Sequence, residues 1–481
     1  MANEFKRITS NIGVLRSTTS QLLGIDLYNS NAATRYLKLF NKRGLPILGT
    51  DIPTHTIVLL PTSNKPNPID TPVDFGNGMS YAVTTGVADS DTNLGSVSDV
   101  VGSLVLSKAD SATDKQVATR CYVPADLAIS YKQSLSRSAH ISRENLSSLK
   151  LVFAGFYVKQ TGSSYGGNAG VNSKITASIE YPAGVFTQVL FNGDKTGGIP
   201  DNGLVTSDSV AVSIPDGEQF WVRTFITSDG GMVYHSKANT VDGDAWTNST
   251  SNTLIDLTMT GTIPHTGGGN GYCPVAIIGN TTKPSYLLIG DSRTNGNQDL
   301  VNTTHGDTGE IARGIGPTNA YINAGVGGDL AFYFNQANNA ATRVLLAQFC
   351  SHVIIQHTIN DVTGGRTAIQ VQNDLIAMAK KFSGKVLGLS TTAPVTTSSD
   401  SWATTGNQTV APTNAIRIAI NNWKRAVPAP FSFVFEVADA VESARDSGLW
   451  KAPSYTGDGI HETGTGYQAA GLVVKADAMP A

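Results

Sequence analysis

Gly290-Asp291-Ser292 directly follows the apolar run Tyr286-Leu287-Leu288-Ile289, which sets a serine hydroxyl at the carboxyl end of a strand. The chain must turn sharply there, and Gly290 allows the turn. A serine hydroxyl is a weak nucleophile at its free pKa. It needs a base within hydrogen-bond reach and a third group to orient that base. Gly457-Asp458-Gly459-Ile460-His461, near the other end of the chain, holds candidates for both. A spacing of three lets one loop present both side chains, so that Asp458 can take one imidazole nitrogen while the other faces Ser292. Each motif alone is weak. Gly-Asp-Ser is most often an ordinary turn, and Asp-x-x-His a loop acid beside a half-exposed histidine.

Two further segments lie between them. Asn323-Ala324-Gly325-Val326-Gly327-Gly328-Asp329 is a loop whose backbone N–H groups can approach a ligand closely, because glycine has no Cβ in the way. Ile354-Ile355-Gln356-His357-Thr358-Ile359-Asn360-Asp361 ends an apolar strand in a polar tip. An oxyanion forming at an acyl carbon needs preorganised donors. The N–H of Ser292, the N–H of Gly328 and the amide of Asn360 are three candidates.

In this order the four segments resemble the SGNH (GDSL-type) hydrolase family, over about residues 286 to 481. The resemblance implies a three-layer α/β/α domain that hydrolyses esters and related acyl bonds with no metal or cofactor. It implies Ser292 as nucleophile, His461 as general base, Asp458 as its orienting acid, and Gly328 and Asn360 beside Ser292 in the oxyanion hole. Two positions depart from the pattern. Thr358 stands where a glycine is usual, which would narrow the space beside the acyl group. Arg293 replaces a small apolar residue and, aimed into the cleft, could pair with an acidic sugar; a surface or helix-supporting role is the plainer alternative. His357 is a weak rival as base and a better candidate for a substrate contact or for a supporting contact behind the site.

The elements that must position these groups follow from periodicity. From Tyr286 onward, apolar strands alternate with helical patterns: strands at His352 to Gln356, Lys385 to Leu389 and Phe433 to Val437, and helices near Ala341 to Phe349, Ala368 to Phe382, Asn414 to Ala426 and from Thr465. Such alternation predicts a parallel sheet covered on both faces, with ligands beyond the carboxyl ends of its strands. Upstream the pattern is β-rich. Residues 111–280 hold runs at Leu149 to Val158, Lys174 to Tyr181, Val185 to Phe191, Ser209 to Ile214 and Gln219 to Thr227, divided by turns, which predicts a β-sandwich or jelly roll. Tyr165, Trp221 and Trp246 are candidates for carbohydrate contact, although Trp221 could equally fill the core. Thr260 to Asn280, with Gly267-Gly268-Gly269, reads as a linker. Residues 1–110 combine a short helical candidate with β runs at Tyr36 to Phe40, Thr56 to Leu60 and Met79 to Thr84. Three domains are expected, at 1–110, 111–280 and 281–481.

The segment KLFNKRGLPILGTDIPTHTIVLLP, followed by GMSYAVTTGVADSDT, resembles a small β-domain of tailed-phage structural proteins that serves in decoration or attachment. That implies a place on a virion, tail or capsid surface, with other virion proteins as partners. An anonymous β spacer is the alternative. The substrate expected from this combination is a bacterial surface glycan, cleaved at O-acetyl groups. A glycan-binding virion protein without turnover, or a free bacterial lipase or thioesterase, are the competing readings. A homo-oligomer is a further expectation.

Composition bounds the rest. The 481 residues carry a net charge of −3, with 40% hydrophobic and 15% charged residues, and no basic stripe of the kind that neutralises nucleic-acid phosphates. Cys121, Cys273 and Cys350 are odd in number and far apart, so buried thiols are expected in place of a disulfide framework or zinc site. No apolar run approaches the ~20 residues that span a bilayer. MANEFKRITSN lacks a signal-peptide core, which predicts synthesis in the host cytoplasm.

Overall fold

The computed structural model describes residues 3–475 apart from 9, 17–19, 43, 76–78, 108–113, 236, 267–270, 300–305 and 337. The expected 110/111 boundary and Gly267-Gly268-Gly269 of the expected linker lie outside the described residues, and the end of that linker is instead the buried strand Ala276–Asn280. The chain forms two compact units, Met1–Thr113 and Asp114–Ala481.

The described part of the first unit contains strands and no helix, so its short helical candidate does not form. Two four-stranded antiparallel sheets make it up. One orders strands Asn3–Ile8, Val100–Ser107, Ser20–Asn29 and Ser63–Phe75; the other Ile12–Arg16, Met79–Thr84, Arg35–Phe40 and His55–Leu59. Leu22, Leu27, Leu37, Leu39, Phe75, Met79 and Leu104 fill their common core.

The second unit joins what the sequence suggested as two domains. One antiparallel sheet runs Phe186–Gln188, Ser173–Glu180, Gln219–Thr227, Gln133–Ile141, Ala245–Ser249, and another Leu204–Thr206, Leu146–Ala154, Ala276–Asn280, Asp114–Gln116. Phe153 and Val222 of these sheets belong to the same buried cluster as Leu287, Ile322 and Val353 of the downstream parallel sheet, so one core serves both parts. The predicted strand Leu149 to Val158 is two strands, Leu146–Ala154 and Phe156–Thr161. They break at Gly155, where a Cβ would lie 2.2 Å from the Pro200 carbonyl oxygen. Freed by that break, Phe156–Thr161 pairs with Ser164–Asn168 in a separate hairpin. Val185 to Phe191 shortens to Phe186–Gln188. Trp246 is buried against His265, which removes it from the carbohydrate-contact candidates, and Trp221 is half-buried with Arg137 4.0 Å over its ring.

A six-stranded sheet is parallel throughout, in the order Cys121–Tyr122, Ala320–Asn323, Ser285–Ile289, His352–Ile355, Val386–Ser390, Phe433–Phe435. Counted from Ser285–Ile289, the main strands run 2-1-3-4-5. The strand order reverses beside that strand, and such a switch point opens a crevice at the carboxyl ends. Tyr286, Leu287, Leu288 and Ile289 are all wholly buried, as a strand covered on both faces requires. Each Leu or Ile so buried contributes about 1.5–3 kcal/mol. Edge strand Cys121–Tyr122 comes from the upstream region, a pairing no local pattern announced.

Helices Ala368–Lys380, Asn414–Arg425 and Gly464–Val473 form close to the predicted places. Thr367 and Gln370 close the first in a capping box, each side chain bonding the other's backbone N–H. All three cysteines are buried free thiols. Among the described residues no helix is long and apolar enough to cross a membrane.

Candidate active site

At the end of strand Ser285–Ile289 the chain enters the short helix Ser292–Asn295, capped by Asp291, whose carboxylate accepts the Arg293 N–H at 2.9 Å. Gly290 is required there, because a Cβ would lie 2.0 Å from Thr294 Oγ1. The Ser292 Oγ lies 2.8 Å from His461 Nε2, and His461 Nδ1 lies 2.7 Å from Asp458 Oδ2. Asp458 Oδ1 accepts the backbone N–H groups of Ile460 and His461 at 2.8 and 2.7 Å, so the loop folds around its own acid. Burial pulls the Asp458 carboxyl up, but hydrogen bonds from the His461 ring and from these N–H groups outweigh it and hold the group below the ordinary carboxylate range. It therefore stays ionised beside the imidazole.

Gly459 adopts φ +77°, and a Cβ there would meet the Thr396 carbonyl oxygen at 2.0 Å. Trp450 Nε1 and Thr396 N both donate to the Gly459 carbonyl, tying the histidine loop to the body of the domain.

The glycine loop is tied to the serine turn. Val326 N donates to the Gly290 carbonyl at 2.9 Å, Asn295 Nδ2 to the Gly325 carbonyl at 2.9 Å, and Asn323 Nδ2 to the Thr294 carbonyl at 2.9 Å. Gly328 has φ +78°, which disfavours any residue with a Cβ. Asn360 opens the short helix Ile359–Thr363 and donates one Nδ2 hydrogen to the Asp329 carbonyl at 3.0 Å. A carboxamide nitrogen carries two hydrogens, so this bond orients the amide and leaves it a second donor. Asn360→Ala is expected to lower kcat on an ester by about 10²–10³-fold with little change in KM, the size of losing one oxyanion donor; steady-state kinetics checks it.

Arg293 and His357 stand elsewhere than expected. Arg293 is fully buried, and its guanidinium donates to the carbonyls of Ile460 (Nε, 3.0 Å), Ala393 (3.2 Å) and Pro394 (3.1 Å). It cannot meet an acidic sugar. It instead clamps the histidine loop to the serine turn, and its burial rules out the surface role that was part of its alternative. His357 is also fully buried, with Nε2 2.7 Å from Asp329 Oδ2, which excludes the expected substrate contact. Asp329 gathers the Arg343 guanidinium and the Tyr165 hydroxyl as well. Burial raises the Asp329 carboxyl, but Arg343 and His357 bring it down to about 2. Thr358 is buried and accepts a hydrogen bond from Lys424 Nζ at 2.7 Å, so its side chain faces the interior.

Gln298 escaped notice in the sequence. Its Nε2 donates to Asp458 Oδ2 at 2.6 Å from a backbone in the left-handed region, φ +63°. No sequence pattern marks it, because the contact joins two loops far apart in the chain.

This arrangement can draw a proton from Ser292 as the oxygen attacks a carbonyl and hold the resulting imidazolium against a carboxylate. No family model and no curated protein matches the chain. Solved structures similar to it include a GDSL-like lipase from Bacteroides thetaiotaomicron, 20% identical over 40% of this chain and 85% of that one, with a TM-score of 0.29. A member of the lipolytic G-D-S-L family from Veillonella parvula is 14% identical over 39% and 94%, TM-score 0.28. A lipase from a goat rumen metagenome is 12% identical over 41% and 98%, TM-score 0.31. These neighbours are named as lipases or lipolytic proteins, two of them of the G-D-S-L type, and the likeness spans about two fifths of this chain. It is too slight to carry an argument about function, which has to come from the site.

Proposed function

We propose that the protein is a serine esterase acting on short acyl esters. The observation that carries this is the continuous relay from Ser292 Oγ through His461 to Asp458, with links of 2.8 and 2.7 Å, at the carboxyl edge of a parallel sheet. In the reaction Ser292 attacks the ester carbonyl as His461 takes its proton. The imidazolium then protonates the leaving alcohol, and water, activated by the same histidine, hydrolyses the acyl-enzyme. Ser292 N, Gly328 N and Asn360 Nδ2 are the proposed donors to the oxyanion.

The finer proposal is that the ester is an O-acetyl group on a bacterial surface polysaccharide and that the protein is carried on a phage virion through its first unit. It is supported by the resemblance over residues 30 to 95 and by the union of the sandwich with the catalytic sheet through one core. The test is release of p-nitrophenol from the acetate, butyrate and palmitate esters by wild type and Ser292→Ala. Hydrolysis is expected to be fastest on acetate and to fall to background in the variant. A well-folded wild type without activity overturns the esterase reading.

A further inference from the structure

The hairpin Phe156–Thr161/Ser164–Asn168 belongs to the β-rich upstream part of the second unit, yet it lies against the glycine loop. Contacts from its turn and its second strand hold it there. The Tyr165 hydroxyl donates to Asp329 Oδ1 and accepts the Leu330 N–H at 3.3 Å, and the Tyr165 ring lies 5.3 Å from the Arg343 guanidinium carbon. Asn339 Nδ2 donates to the Ser163 carbonyl at 3.0 Å.

This anchoring brings Gln160 to Gly328. A Cβ on Gly328 would stand 2.7 Å from Gln160 Oε1, so the absent side chain leaves the place the glutamine amide borders. Gln160 is half-buried, and its Nε2 bonds the Gly162 carbonyl of its own turn at 3.0 Å. Across the loop, Asn297 Nδ2 would be 3.6 Å from a Cβ on Gly327, and Gln298 reaches Asp458. Three carboxamides thus border the loop and the relay. Each carries donor and acceptor atoms and no charge, the match for hydroxyl groups that both donate and accept. Arg293, the cation next to the serine in sequence, has its hydrogens turned to backbone carbonyls.

We propose that Gln160 is a specificity-determining residue that hydrogen-bonds a hydroxyl of a neutral sugar bearing the scissile ester. The proposal rests on the esterase reading and names the substrate class of that site. Losing one neutral hydrogen bond to a bound hydroxyl, and stranding the partner group, weakens discrimination by about tenfold.

The test compares methyl 6-O-acetyl-glucopyranoside, a methyl O-acetyl-galacturonate and p-nitrophenyl acetate as substrates of wild type, Gln160→Ala and Gln160→Glu. In both variants the ratio of kcat/KM on the neutral sugar to that on p-nitrophenyl acetate should fall about tenfold, chiefly through KM. Equal losses on all three esters, or a drop confined to the acidic sugar, overturn the proposal. Calorimetric titration of the neutral sugar acetate into Ser292→Ala protein, with and without Gln160→Ala, reads binding without turnover. The dissociation constant should rise about tenfold, and an unchanged constant or no binding to Ser292→Ala overturns the proposal. An inactive wild type whose sugar binding still depends on Gln160 would refute the esterase and keep the sugar site.

Discussion

His461→Ala is expected to lower kcat on p-nitrophenyl acetate by about ten-thousandfold while leaving the thermal unfolding temperature nearly unchanged. His461 is the group poised to take the proton of Ser292, and members of such a relay act as a unit, so removing the base costs about as much as removing the nucleophile. The side chain is only half-buried, so little packing is lost with it. Asp458→Asn should approach the same loss by a different route. The asparagine amide would donate towards His461 Nδ1 and favour the wrong tautomer, leaving a hydrogen on the nitrogen that must accept one. Steady-state kinetics alongside unfolding curves separates these losses from misfolding. A residual rate within tenfold of wild type in His461→Ala would mean that another group takes the proton.

Asp329→Ala is the substitution with the largest expected effect on stability, about 3–5 kcal/mol, the cost of leaving the buried Arg343 cation without its anion. Asp329, Arg343 and His357 are all fully buried, and Arg343 Nη1 and His357 Nε2 both face the Asp329 carboxylate. Asp329 also takes the Tyr165 hydroxyl, so the substitution should loosen the sandwich hairpin and the glycine loop together. Urea unfolding monitored by tryptophan fluorescence measures the loss. The carboxyl is depressed in the folded state from an ordinary 3.8 to about 2, so its stabilising share is complete above pH 4 and disappears as pH falls towards 2. The difference in stability between wild type and variant should therefore shrink through that interval. A difference below about 1 kcal/mol at neutral pH would show that Arg343 does not depend on Asp329.

How legible the site was depends on the range of the interactions that build it. Gly290, Asp291 and Ser292 announce a turn after an apolar strand, and Asp458 and His461 share one loop; both patterns depend on neighbours within a few residues. The strands and helices after Tyr286 likewise show in short periodic runs, because a strand buried on both faces must be continuously apolar and a helix must repeat its apolar face. Their expected ends were off by only a few residues.

Contacts across long stretches of chain left no such trace. Nothing near Arg293 in sequence tells that its hydrogens go to Ile460, Ala393 and Pro394, and nothing near His357 tells that Asp329 waits beside it. Residue type was readable at both positions and side-chain direction was not, so a buried clamp and a buried ion pair looked like substrate contacts. Gly155 marked a break only once Pro200 was folded against it, and Cys121–Tyr122 joined the catalytic sheet through register with Ile322 and Asn323. The amino-acid order thus specified the nucleophile turn, the histidine loop and the alternating elements, whose physics is local. Packing of distant segments settled which charges are buried, where the sandwich hairpin rests and which amides border the serine, since those arrangements depend on the free energy of the whole folded core.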